Sequence, residues 1–212
     1  RSLVFSYDGN YLYSAALDGK VLKWDLTART STDVGTGAMQ ITSIALSLNN
    51  NYIAGISDQG RGLVWTPGQN SRNLIIESDG RKIRNIRFKP DDDRIAVGYD
   101  DGTVELWDIA MGERITGFKA HQGEINDIRF NGNNSQMATA GIDGTLKLWD
   151  TGDLTAAPVT FTDNEGVVVS FDFSPDGGVI LSAVASEKPK MIARPAFADT
   201  FAADGCTYVT RN

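Results

Sequence analysis

One cysteine, Cys206, and one histidine, His121, serve the whole 212-residue chain. A lone thiol cannot close a disulfide within the chain, and one histidine with one cysteine cannot supply a tetrahedral zinc site made of protein ligands alone. No metal and no cofactor are therefore expected. No run approaches the roughly 18 consecutive apolar residues of a membrane-spanning helix, and no signal-peptide pattern opens the sequence. Positive charge is scarce as well. Lys and Arg number 20 against 27 Asp and Glu, a net charge of -7, which argues against broad binding to nucleic acid or to an anionic membrane, since both rest on a basic footprint. A reducing, cytoplasmic setting is the expectation. What the chain does have is 41% apolar residues, enough to bury a sizeable core without covalent staples.

The apolar residues recur at a fixed period. Trp24, Trp65, Trp107 and Trp149 are separated by 41, 42 and 42 residues, and Phe5, Leu46, Phe88, Phe130 and Phe173 by 41, 42, 42 and 43. Each tryptophan closes an alternating run that opens on a tight-turn signal: "DGKVLKWD" at 18–25, "DGTVELWD" at 101–108 and "DGTLKLWD" at 143–150, with "DQG" from Asp58 in the second unit. Each Phe or Leu landmark is followed by turn formers ("SYDGN", "SLNNN", "KPDDD", "NGNNS", "SPDGG") and a second short run of small or apolar residues. Each unit thus reads strand, turn, strand, Asp-Gly turn, strand. Segments such as "RNLIIE", "RITGF" and "PVTFT" add a fourth, outer strand.

A period of roughly 40–45 residues with Trp-Asp at the end of the third strand is the mark of a propeller blade, and over nearly its whole length the sequence resembles the WD-repeat β-propeller family. The resemblance implies an all-β chain of four-stranded antiparallel blades, about five of them present, at approximately 1–37, 38–79, 80–120, 121–163 and 164–195. A tail follows at 196–212. The fifth unit lacks both the Asp-Gly turn and the tryptophan, with Arg194 near the expected place, as befits a terminal repeat. The chain starts directly on a first strand, at "LVF", so it is expected to be the carboxy-terminal part of a larger ring of about seven blades; a closed five-bladed ring is the alternative. The tail's "CTYVTRN" is similar to the extension that follows WD-repeat propellers in large bacterial multidomain signalling proteins.

In this family a turn aspartate, a histidine ahead of the blade, a hydroxyl on the second strand and the tryptophan form one hydrogen-bonded chain, because a buried indole N–H and a buried carboxylate both need partners. Carried over, the complete set is His121, Thr139, Asp143 and Trp149. The first blade keeps Ser14, Asp18 and Trp24. The second has Ala54 at the hydroxyl position with Asp58 and Trp65, and the third has Val97 with Asp101 and Trp107, so these two are expected to rest on packing alone. The assignment also takes His121 out of contention as a catalytic base. The stretch "GISDQG" at 55–60 fails as a nucleophile elbow, because Gln59 stands where glycine is needed. The acidic run Asp91, Asp92 and Asp93 fails as an EF-hand loop, with Ala96 and Gly102 at its sixth and twelfth places. No enzyme site is expected.

A propeller is a rigid platform whose function lies in its loops. The family's face-lining positions flank the first apolar residue of strand one and precede the turn aspartate. Here they are Gln40, Thr42, Lys82, Arg84, Glu124 and Asn126, with Leu17, Ser57, Asp100 and Ile142. The densest charge, "RKIRNIRFK" at 81–89, falls among them. The resemblance implies a non-catalytic scaffold or sensor that binds a protein partner through this face, the partner being another protein or an upstream domain of a longer chain. A propeller that binds a small molecule or glycan is the alternative, and the absence of Tyr and Trp from those positions counts against it.

Overall fold

Strand formation follows from what each unit alternates. In "INDIRF" Ile125, Asp127 and Ile128 are buried while Asn126 and Arg129 are half-buried, the pattern of a strand interrupted by a bulge and covered on both faces, where β-branched residues pack well. The computed structural model describes residues 1–35, 39–68, 72–77, 79–90, 94–162, 166–185 and 190–195. The acidic run at 91–93, Cys206 and the tail 196–212 lie outside them.

Among the described residues there are nineteen strands, no helix, and five antiparallel sheets. The first sheet is β1 (Ser2–Phe5), β2 (Tyr11–Ala15), β3 (Val21–Asp25) and β4 (Thr30–Asp33), hydrogen-bonded in chain order. The second repeats the plan with β5 (Ile41–Leu46), β6 (Ile53–Ser57), β7 (Gly62–Trp65) and β8 (Arg72–Ile76). The third has β9 (Ile83–Phe88), β10 (Arg94–Tyr99), β11 (Thr103–Asp108) and β12 (Glu113–Lys119), and the fourth β13 (Ile125–Phe130), β14 (Gln136–Gly141), β15 (Leu146–Asp150) and β16 (Val159–Phe161). The fifth contains β17 (Val167–Phe173), β18 (Val179–Ala185) and β19 (Lys190–Pro195). Each sheet is one blade.

Two compact units divide the chain, Arg1–Asp100 with Val104–Phe118, and Asp101–Thr103 with the residues from Lys119 onward. In the first unit, blade two is sandwiched. Tyr13, Ala15, Val21 and Val34 of blade one close over Ile44, Ile53, Leu63 and Trp65, while Ala54, Ile56 and Val64 on its other side meet Ile86, Ile95 and Val97 of blade three. In the second unit, Ala138, Ala140, Leu146 and Leu148 of blade four meet Val168, Phe171 and Ile180 of blade five. Alternation along each strand sends successive side chains to opposite neighbours.

In blades one, two, four and five the hairpins between first and second strands share a polar lock that the turn-former pattern only hinted at. Ser6 Oγ accepts the Tyr11 N–H, Ser47 Oγ that of Tyr52, Asn131 Oδ1 that of Gln136 and Ser174 Oγ that of Val179. Two residues after each, Asp8, Asn49, Asn133 and Asp176 accept the N–H two places further on. Short side chains that cap their own turn in this way fix the hairpin register.

Candidate partner-binding rim

The rim begins at the turns joining second and third strands, and their glycines set its register. Gly19, Gly60, Gly102 and Gly144 all adopt positive φ, a backbone region open to glycine at little cost, and each stands five residues before its tryptophan. In three turns the preceding aspartate folds the loop: Asp18, Asp101 and Asp143 accept the N–H of Lys20, Thr103 and Thr145.

Blade two departs from the sequence expectation by one residue. Gln59, not Asp58, precedes the turn glycine, and Gly55, not Ala54, holds the place of Ser14 and Thr139, paired with Leu63 as Ser14 is with Leu22. Asp58 instead takes the rim place of Leu17, Asp100 and Ile142. The backbone states this directly, because Asp58, Asp100 and Ile142 donate their N–H to the carbonyls of Gln40, Lys82 and Glu124. Ser57, expected on the face, is buried, and its Oγ accepts the Arg61 N–H inside the turn. The expectation aligned blade two on its aspartate; the fixed glycine-to-tryptophan spacing was the signal that places it correctly.

The same bonds bring the predicted rim residues together within each blade. Gln40 meets Asp58, Lys82 meets Asp100 and Glu124 meets Ile142, with a second bond from the Lys82 N–H to the Asp100 carboxylate. Just inside, the first strands of blades two, three and four carry a bulge at which the strand register skips one residue: Thr42 between Ile41 and Ser43, Arg84 between Ile83 and Asn85, Asn126 between Ile125 and Asp127. A bulge re-aims the side chain it carries. Thr42 Oγ1 donates to the Ile56 carbonyl and Asn126 Nδ2 to that of Val168, while Arg84 is exposed. Val169 occupies the equivalent bulge of blade five and is exposed, a rim position the sequence reading missed; alignment on Phe173 points to it.

Beneath the rim, the four tryptophans donate to three kinds of acceptor. In blade four the Trp149 N–H donates to Thr139 Oγ1 (3.0 Å), which lies 2.8 Å from His121 Nε2, and His121 Nδ1 lies 3.0 Å from Asp143. A consistent set of donors makes the histidine a neutral ring protonated on Nδ1. Burial holds the His121 pKa below its ordinary value against the pull of Asp143. For Asp143, burial is outweighed by bonds from the N–H groups of Gln122 and Thr145, the Thr145 hydroxyl and His121, and its pKa falls to about 2. Gly141 makes room for the ring, since a Cβ there would sit 2.5 Å from His121 Cγ. In blade one the Trp24 N–H reaches Ser14 Oγ at 2.8 Å, and Asp18 caps its own turn.

Blades two and three do not rest on packing alone. With a glycine at the hydroxyl position, the Trp65 N–H turns to the Val34 carbonyl of blade one (2.8 Å) rather than to a network with Asp58. In blade three, where Val97 offers no oxygen, Glu105 replaces the missing hydroxyl. One of its oxygens accepts from the Tyr99 hydroxyl (2.7 Å) and the Trp107 N–H (3.1 Å), the other from Arg81 (2.9 Å) and Arg114 (3.0 Å). Arg81 also stacks on the Tyr99 ring. Asp101 meanwhile accepts the Thr103 N–H and hydroxyl in its turn. Burial alone would raise the Glu105 pKa, but these donors hold it below the ordinary glutamate value; burial and the carboxylate push the Tyr99 hydroxyl up.

This repeated architecture has a known counterpart. Residues 1–25, 72–108 and 112–150 match the family model described as WD domain, G-beta repeat. Over these stretches the chain carries WD repeats. Its fold is similar to a chain in a crystal structure of the mitotic checkpoint complex, with a TM-score of 0.81 at 13% identity over 92% of this chain and 60% of that one. It is also similar to a guanine nucleotide-binding protein subunit beta-like protein of Encephalitozoon cuniculi (strain GB-M1), 24% identical over 101 residues, which cover 44% of this chain and 30% of the relative's own length. WD-repeat propellers generally mediate protein–protein interactions and are generally non-catalytic.

Alongside Lys82, the rim of the first unit opens into a groove of about 430 Å³ lined by Gln59, Arg61, Glu77, Asp79, Gly80, Arg81 and Lys82. Arg61 pairs with Glu77 across it at 3.4 Å. Among the described residues no cluster of three or more His, Cys, Asp or Glu could hold a metal ion, and no helix is long and apolar enough to cross a membrane.

Proposed function

We propose that this WD-repeat chain is a non-catalytic interaction module that binds a protein partner through the rim of its blades. The observation that carries the reading is the pairing of rim positions in blades two and three: Gln40 with Asp58 and Lys82 with Asp100 are joined backbone to backbone, and Arg84 stands on the adjacent bulge. Backbone held at rigid strand ends loses little freedom when a partner docks, which favours recognition. The open polar groove beside Lys82 adds both signs of charge and suits the mixed edge of a protein surface.

The experiment compares three modules as bait in the source cell, with recovered proteins identified and their affinity for purified bait measured. Replacing Lys82 and Arg84 by alanine is expected to weaken partner binding at least about tenfold while leaving the unfolding midpoint unchanged, since exposed charges add little to stability. Met111→Ala alters an exposed side chain at the other end of blade three, in the β11–β12 turn, and is expected to bind as wild type. Partner loss in the Met111→Ala module with full retention in the rim variant would overturn the reading.

A further inference from the structure

A four-stranded blade ends on an outer strand whose far edge presents backbone N–H and C=O groups, and such an edge pairs with further strands unless it is blunted. Three of the four outer strands are blunted by their build. β4 has four residues, and β16 has three and follows Pro158. β8 has five, and its pairing with β7 shifts register between Val64 and Trp65. β12 is different. It runs seven residues without a proline, ends its sheet with β11 on one side, and belongs to a blade that has blades two and four before and after it in the chain. Its alternate residues Glu113, Ile115, Gly117 and Lys119 are all exposed, Ile115 by 47%.

The strand "ERITGFK" is also complementary to itself read backwards. In an antiparallel pair of two β12 strands centred on Thr116, Glu113 of each copy stands opposite Lys119 of the other, Ile115 opposite Gly117 and Arg114 opposite Phe118. This is the two-fold arrangement in which one residue meets a second and the second meets the first. Opposite charges directly across a strand pair stabilise it, and like charges in the same places destabilise it. Moving the centre one residue to either side leaves Glu113 and Lys119 without an opposite charge. Of the four outer strands, only β12 carries an acid at one end and a base at the other. Lys119 rests its ammonium on the Asp101 carbonyl oxygen, which keeps the charge at the strand end.

We propose that two copies of this chain pair edge to edge through β12, antiparallel about Thr116, with Glu113 of each copy facing Lys119 of the other. The contact uses neither the rim residues nor the groove, so it stands or falls independently of the rim reading. A pair of seven-residue edges is smaller than a standard protein interface, so the dimer is weak and shows at high concentration. Sedimentation of the purified chain is expected to reveal a monomer–dimer equilibrium below about 1 mM that goes no further than two copies and weakens with added salt, which screens exposed charges. Glu113→Lys puts lysine against lysine at both ends of the pair, and Lys119→Glu puts glutamate against glutamate. Each is expected to weaken the dimer at least about tenfold. Both positions are exposed, and unchanged unfolding midpoints verify that the variants fold. Mixing the Glu113→Lys chain with the Lys119→Glu chain restores opposite charges at both ends and is expected to give a one-to-one heterodimer, while the double variant Glu113→Lys with Lys119→Glu regains the homodimer. The rim variant with Lys82 and Arg84 replaced by alanine is expected to dimerise as wild type. A wild-type chain that stays monomeric up to about 1 mM, dimers that persist in both charge variants, no recovery in the mixture, or equal loss in the rim variant would overturn the proposal.

Discussion

Replacing Glu105 by glutamine tests whether blade three depends on a polar network in place of a hydroxyl. The carboxylate is buried and accepts four bonds, two on each oxygen. Glutamine keeps the shape but has one acceptor oxygen. Turned toward Tyr99 and Trp107, it points its amide N–H groups at two guanidinium groups. The Arg114 side chain is more than half exposed, so water replaces its bond at little cost. Arg81 is mostly buried, and losing a charge-assisted bond there costs roughly 1.5–3 kcal/mol. Relief of the buried charge offsets part of this, leaving a loss of about 2 kcal/mol. Tyr99→Phe removes one donor and is expected to cost about 1 kcal/mol, and the pair should couple by at least about 0.5 kcal/mol, since both residues share one carboxylate. Urea unfolding of the two single variants and the double variant supplies all three numbers. The sign with pH is fixed by direction. Because the folded-state pKa of Glu105 lies below the ordinary value, its contribution is present above the ordinary glutamate pKa and is lost as pH falls through the folded value, so the gap between wild type and Glu105→Gln narrows in acid. A Glu105→Gln chain within about 0.5 kcal/mol of wild type at neutral pH would refute the network and return blade three to packing alone.

In blade four, His121→Ala and Asp143→Ala are each expected to cost about 1–3 kcal/mol by stranding the other's buried partner atoms, with a double-variant loss smaller than the sum; full additivity in denaturant midpoints would disprove the coupling. The same pair gives two acid steps in stability against pH. Folded His121 resists protonation, so stability declines as pH drops below the ordinary histidine value. Asp143, shifted from 3.8 to about 2, adds about 1–2 kcal/mol after solvent screening, present above pH 3.8 and lost toward pH 2. Both steps should be missing from the double variant. Gly102→Ala is expected to cost more than about 2 kcal/mol, because its φ is +90° and the new Cβ would lie 2.2 Å from the His121 carbonyl oxygen. Gly9→Ala, at φ +72° with open space around it, should cost only the backbone term of about 1 kcal/mol; equal losses in thermal or chemical unfolding would show that the contact with the His121 loop is irrelevant.

The doubled 42-residue period was enough to specify strands, turns and blades, because a pleated strand writes its burial into every second residue and a tight turn needs glycine at positive φ. The set His121, Thr139, Asp143 and Trp149 was legible for the same reason: its members sit at fixed offsets from those turns, and the strand pairings bring them within hydrogen-bond reach. Blade two was read one residue out of register because Asp58 imitates a turn aspartate in sequence; the Gly60-to-Trp65 spacing points to the right register, and the bond from the Asp58 N–H to Gln40 shows it to be a rim residue. The Glu105 network was invisible for a different reason. Its donors come from residues 81, 99, 107 and 114, on no common period, and a glutamate in "DGTVELWD" looks like any solvated strand residue until the blade closes Tyr99 and Arg81 over it. Trp24 and Trp65 make the clearest contrast. Each stands five residues after its turn glycine, yet the Trp24 N–H stays within its own blade on Ser14 Oγ while the Trp65 N–H crosses to the Val34 carbonyl of blade one. The strand pattern decides which face a side chain takes, and only a neighbouring blade decides whether that face meets protein or water.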